Sequence, residues 1–428
     1  MKRIYPGKIA EMPILIFIFL SLALPAFAQD ALIENLSKNR HELKHENGKL
    51  AGSGAQLLLT EAQSSQFFLI GEPHGIAELP VFTAALFNQI HAHGYRRVAV
   101  ETGPITARRL ESIAPATDGF SKFNFNYPFA LPFFNWREEA AFLETAFRTA
   151  GGKNQTIWGL DQEFMASAPF HLEKLYEIAP DDKSKRIVGE YFEKSKTEFR
   201  RVVENKNPQM MFLGWATEMD FDKLDAAFRT SKSAEALEIL KELRESAEIY
   251  RKIASGNGYE SNDQRARLMK RHFMAYYAEA SKKEPLPRVL FKFGSNHMKR
   301  GRSFTNVYDI GNFVAELSAA GGSKSFHLLV LPTGGTQNAY FPFGSPESDL
   351  ARNFDPLRAN SSADVSPLLK VADVKEWSVV DLRPLRPLIH SGQLADLPNG
   401  FADLVWGFDA VLLLPNVRAS RYFEWKKD

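Results

Sequence analysis

Glu72 and His74 stand two residues apart in Phe67-Phe68-Leu69-Ile70-Gly71-Glu72-Pro73-His74-Gly75, where an apolar run breaks into a polar cluster between two glycines. A carboxylate and an imidazole this close can work as an acid/base pair or as two ligands of one metal ion. Gly71 and Gly75 let the backbone turn sharply and approach a bound group. Three further apolar runs end in side chains of the same kind. Val98-Ala99-Val100 leads into Glu101, Ile157-Trp158-Gly159-Leu160 into Asp161, and Leu290-Phe291-Lys292-Phe293-Gly294-Ser295-Asn296 into His297. One such residue alone is more often a cap or a partly buried partner than a reactive group. Four together, using two of the chain's 10 histidines, favour a shared site.

Bringing these residues to one place requires strands that point the same way. Apolar runs at 66–72, 97–102, 156–161, 288–294, 326–332, 377–382 and 410–415 are short, rich in Val, Ile, Leu and Phe, and mostly continuous. Continuous runs suit a parallel sheet covered on both faces, and ligands of open α/β sheets gather at the C-terminal strand ends. Helical spacing over 79–93, ending at Gly94, and over 139–149, ending at Gly151-Gly152, supplies crossovers. From about 167 to 283 charge is dense, glycine scarce and helical spacing continuous, as at 234–253 and 263–280. The expected fold is therefore α/β: a central, mostly parallel sheet flanked by helices, with a large helical insertion covering the cleft. A polar stretch at 344–363 reads as a surface loop.

The first 28 residues read as an export signal: basic Lys2, Arg3 and Lys8, an apolar run from Pro13 to Leu24, and Ala26-Phe27-Ala28 before Gln29. The expected mature protein, 29–428, is then a single domain, periplasmic or secreted, with no stable membrane span. Three of the 53 basic and one of the 51 acidic residues fall in that segment, so the remainder carries no net charge. That balance argues against nucleic acid as the main partner. The absence of cysteine removes disulfides, thiolate metal sites and thiol nucleophiles. No Gly-x-Ser-x-Gly elbow and no glycine-rich nucleotide motif occurs.

In order along the chain, Gly71-Glu72-Pro73-His74-Gly75, Val100-Glu101, Trp158-Gly159-Leu160-Asp161-Gln162 and Gly294-Ser295-Asn296-His297 resemble the motifs of erythromycin-esterase-like proteins. That family belongs to a wider group with the haem-binding ChaN proteins and the Tiki/TraB proteases. Arg265 and Met269 look like the family's Arg-x-x-x-Met helix, and 409–415 like its last strand. A single residue, Pro73, separates Glu72 from His74, as in the ChaN-type arrangement. The resemblance implies a hydrolase acting on an ester or related acyl substrate with an apolar body. His74 would be the base on water, Glu72 or Glu101 would orient it, and His297 would stabilise the oxyanion or protonate the leaving alcohol. Asp161 and Arg265 would contact substrate.

Two alternatives use the same residues. Glu72, His74 and His297 with Glu101 or Asp161 form a donor set suited to a divalent metal, as in the Tiki branch. A haem-binding protein without catalysis is the other, after ChaN. The eight aromatics between Phe120 and Trp136 would then be a lid over an apolar ligand, or else a loop packed under the insertion. Lys299, Arg300 and Arg302 beside His297 suggest an anion contact or a solvated turn.

Overall fold

The computed structural model describes residues 30–153, 155–205, 207–231, 233–338 and 351–425. The expected signal segment, 1–28, and part of the expected 344–363 loop lie outside the described residues. Among the described residues eleven strands run in chain order: β1 (Arg40–Glu46), β2 (Lys49–Ala51), β3 (Phe67–Glu72), β4 (Tyr95–Val100), β5 (Ile157–Gly159), β6 (Arg288–Gly294), β7 (Ser325–Pro332), β8 (Thr336–Asn338), β9 (Ala351–Asn353), β10 (Trp377–Asp381) and β11 (Ala410–Leu414). Nine of them form one sheet in the order β2-β1-β10-β11-β7-β3-β6-β4-β5. From β11 to β5 every pairing is parallel. β10 is antiparallel to both β11 and β1, and β2 closes the edge as a hairpin.

The alternation of side chains along each strand divides the core in two. Phe68, Ile70, Val98, Val100, Leu290, Leu328 and Leu412 face one layer of helices. Phe67, Leu69, Ala99, Val289, Phe291, Leu329 and Leu413 face the other. Both layers are mainly apolar, as continuous apolar strands require. The helix Glu78–Ile90 connects β3 to β4, and Arg137–Thr149 lies beside it in the first layer. Between β5 and β6 the chain is helical, including Ala168–Glu177, Asp182–Asn205, Glu218–Phe228, Ala234–Ala254 and Gly258–Ser281. These helices build a third apolar cluster of their own around Leu172, Phe212, Phe221 and Leu243.

β1 and β2 carry no apolar run. In Arg40–Glu46, next to the edge strand β2, only Leu43 is buried, and the remaining residues are exposed or half-buried. Polar, charged edge strands protect a sheet from pairing with other chains, and that same polarity hides them from a search for apolar runs. β8 and β9 form a separate two-stranded ribbon. β9 and the short helix Pro356–Ala359 fall inside the expected surface loop.

Candidate active site

Strand register sets the first contacts. Glu72 ends β3 opposite Gly294 at the end of β6, and Val100 of β4 pairs with Lys292 and with Gly159 of β5. Glu72, Glu101, Asp161 and His297 therefore leave one rim of the sheet from adjacent strands. The structure brings all six residues expected at the site into one network: Glu72, His74, Glu101, Asp161, Arg265 and His297.

Glu101 is its centre. Its Oε2 accepts the Gly294 N–H at 2.7 Å and lies 3.5 Å from His74 Nε2. Its Oε1 accepts from Arg265 Nη2 at 3.0 Å and lies 3.4 Å from His297 Nε2. Each imidazole is backed at its other nitrogen by a carboxylate. His74 Nδ1 is 3.0 Å from Glu72 Oε1, and His297 Nδ1 is 2.8 Å from Asp309 Oδ2. Arg265 also binds Asp161 through Nε and Nη2, so the insertion helix Gly258–Ser281 docks a cation onto the sheet rim. Gly294 admits this convergence, because a Cβ there would lie 3.1 Å from His74 Nε2 and 3.2 Å from Glu101 Oε2.

The charges follow from these neighbours. Burial opposes a proton on His74, but Glu101 and Glu72 outweigh it and raise the imidazole to about 9. Burial likewise opposes a charge on His297, where Asp309 and Glu101 prevail and raise it to about 10. Burial disfavours the Glu101 carboxylate, yet His297 and His74 hold it well below the ordinary value. The free site at neutral pH thus carries two imidazolium ions flanking one carboxylate.

His74 is held from several sides. Phe133 stacks on its ring at 3.8 Å between centroids and 21° between planes. Phe133 has φ +66°, a left-handed backbone that is rare for a bulky residue and marks local strain. Gln337 Nε2 donates to the His74 carbonyl at 2.8 Å. Gly75, at φ +81°, would place a Cβ 2.4 Å from the Asn338 carbonyl oxygen. The segment 418–423 ties the two loops together: Ser420 N–H donates to Gly75 O, and Arg137 N–H to Arg421 O.

Three residues of the site lie outside the motifs read in the sequence: Lys292, Glu139 and Asp309, while Phe133 is one of the eight aromatics read as a lid or a packed loop. Lys292 carried a signal, being a lysine inside the apolar strand Val289-Leu290-Phe291-Lys292-Phe293. Asp309 reads as an ordinary N-cap of the helix Ile310–Ala320, whose first N–H it does accept. Of the Phe120–Trp136 aromatics, most are core, and Phe125 is exposed. Of the basic cluster, Lys299 is buried against Asp403 and Arg300 pairs with Asp409, while Arg302 is exposed.

The metal reading does not fit these donors. Among the described residues no group of three or more His, Asp or Glu side chains could hold an ion. The central carboxylate already meets the Arg265 guanidinium and a backbone N–H. Haem fits no better, because an axial imidazole needs a free ring nitrogen. Both nitrogens of His74 and of His297 face carboxylates, and Phe133 covers one face of the His74 ring.

No family model and no curated protein matches the chain. Solved structures do. A mutant of the erythromycin esterase EreC, in its open conformation, is similar over 86% of this chain and 95% of its own, with TM-score 0.55 and 15% identity. This chain has the erythromycin-esterase-like fold. A Bacillus cereus protein matches over 92% of this chain and 99% of its own, with TM-score 0.55 and 15% identity. A succinoglycan biosynthesis protein matches over the same shares, with TM-score 0.56 and 13% identity. At these identities the esterase likeness establishes architecture: a large, mostly parallel sheet flanked by helices, with helices inserted over the rim.

Proposed function

We propose that this cleft hydrolyses an ester or related acyl compound with an apolar body. The observation that carries the reading is Glu101 set between the Nε2 atoms of two imidazoles, each backed by its own carboxylate. His74 Nε2 takes a proton from water as the water oxygen bonds to the acyl carbon, and Glu72 holds the ring by its Nδ1 proton. The carbonyl electrons move onto oxygen, which meets the His297 Nε2 proton and the Arg265 guanidinium. Collapse breaks the bond to the alcohol, which leaves with the His297 proton. A proton then passes from His74 to His297 by way of Glu101, which restores the site. Aromatic residues beside His74, Phe133 first among them, supply the wall for the apolar body.

Since the free site holds His74 protonated at neutral pH, the base is competent only in the fraction that has lost that proton. Glu101→Gln is expected to lower turnover of an activated aryl ester, per folded molecule, about 100-fold or more. Equal turnover in wild type and this variant would sink the proposal.

Export belongs to the same reading, on the strength of the Lys2–Ala28 pattern. The mature protein should begin at Gln29 by intact mass, and a cytoplasmic, untrimmed chain would contradict it.

A further inference from the structure

Beneath the rim, Lys292 is buried on β6 with its ammonium between two carboxylates. Its Nζ donates to Glu72 Oε1 and to Glu139 Oε1, both at 2.7 Å, and all three side chains are almost fully enclosed. β6 points Lys292 at the same helix layer as Leu290, which is where Arg137–Thr149 presents Glu139. The Glu72 oxygen that accepts the hydrogen bond from Lys292 Nζ is also the one facing His74 Nδ1. The other oxygens, Glu72 Oε2 and Glu139 Oε2, are buried with no hydrogen-bond partner among the described residues.

A lysine and two acids are costly to bury, and replacing such groups by apolar ones is often neutral or stabilising. Their geometry instead links them to the reactive imidazole. We propose that Lys292 and Glu139 are positioning residues that set how much negative charge Glu72 presents to His74. This rests on His74 being the group that moves protons in the proposed reaction. Lys292 withdraws charge from Glu72, and Glu139 returns part of it by sharing the same ammonium.

The groups facing this chain come from every packed element. Glu72 comes from β3, Glu101 from the end of β4, Glu139 from Arg137–Thr149, Lys292 and His297 from β6 and its following turn, and Asp161 with Arg265 reach it through Glu101. Asp309 acts through His297. Burial lifts Glu139 to about 7, with Lys292 pulling it down and Glu72 pushing it up. Both Glu139 and Lys292 are therefore charged where His74, at about 9, releases its proton.

The arrangement makes a signed prediction. Removing Lys292 strands negative charge beside His74, and removing Glu139 leaves Lys292 to Glu72 alone. Histidine-labelled full-length mature protein, titrated by NMR without substrate, reads this directly, with the His74 signal assigned by its loss in His74→Gln. Lys292→Met should raise the His74 midpoint and Glu139→Gln should lower it, each by about one pH unit, a tenfold change in proton affinity. Lys292→Arg should keep the midpoint near wild type. Shifts of the same sign in Lys292→Met and Glu139→Gln, or no shift in either, would overturn the proposal. Should Lys292→Met fail to fold, Glu139→Gln decides alone, because it is isosteric and strands no buried charge. A downward shift supports the proposal, and an unchanged or raised midpoint ends it. No turnover is measured, so failure here is separate from failure of the hydrolase reading.

Discussion

Two histidines of this chain sit against buried carboxylates at nearly the same distance, and only one of them looks able to do chemistry. His171 Nε2 is 2.9 Å from Glu163 Oε2, and His74 Nδ1 is 3.0 Å from Glu72 Oε1. Glu163 is saturated: it accepts the N–H groups of Ile105 and Thr106, the Thr106 hydroxyl and the His171 ring. It sits at the start of the helix Pro104–Ile113 and fixes that helix to the insertion. Both Glu163 and His171 are fully enclosed. His74, in contrast, keeps 23% of its side chain exposed, meets a second carboxylate at a loose 3.5 Å, and lies under a strained Phe133. Residue type and distance are equal in the two pairs. Access is not, and reactivity requires it.

Exchanging one histidine for the other's fate is the strongest way to break this comparison. His74→Ala should cost turnover a factor of about 100 to 10,000 while the protein stays folded at pH 7. His171→Ala should leave a buried charge without its partner, at about 3 kcal/mol of stability, while turnover per folded molecule stays intact. Measured melts and turnover in the opposite pattern would reverse the assignment.

The pH dependence sharpens it. With His74 as base and His297 as acid, kcat/KM rises as His74 loses its proton at about 9 and falls as His297 loses its own at about 10. A narrow maximum between those values is expected, and a rate already level at pH 7 would deny His74 the role of base. Stability follows the same protons with the opposite sense. A histidine raised above its ordinary 6.5 contributes stability that is complete below that value and is lost as pH rises through the folded-state value. The melt should fall between pH 7 and 10, and by less in His74→Ala. The smallest effect is expected at Phe133. Phe133→Leu should raise KM for apolar esters several-fold, worth about 1 kcal/mol of ring contact, with little change in kcat. An equal loss in kcat would make Phe133 part of the proton-transfer geometry rather than the wall.

The sheet's centre was legible because buried parallel strands must be apolar throughout. The ends of β3, β4 and β6 then announce Glu72, Glu101 and His297 by the abruptness of the change. Asp161 follows the same rule from β5. Arg265 was legible only through resemblance, since nothing in a charged helix marks the one arginine that turns toward a distant sheet. Lys292, between Phe291 and Phe293 in an apolar strand, implies a buried counter-charge, but nothing near it in the sequence names Glu139 as one. Glu139 and Asp309 lie outside the motifs, and each looks like routine helix-terminal chemistry until the fold closes. Phe133 depends on a left-handed turn and on the 418–423 segment, neither of which leaves a local signature.

The most direct test is turnover of a panel of aryl and alkyl esters by the mature wild type and by His74→Ala, measured from pH 7 to 10. The account predicts hydrolysis of at least one apolar ester by the wild type, with a rate that climbs toward pH 9 and a climb that disappears in the variant. Turnover that is the same in both proteins, or no hydrolysis of any ester by the wild type, would contradict it.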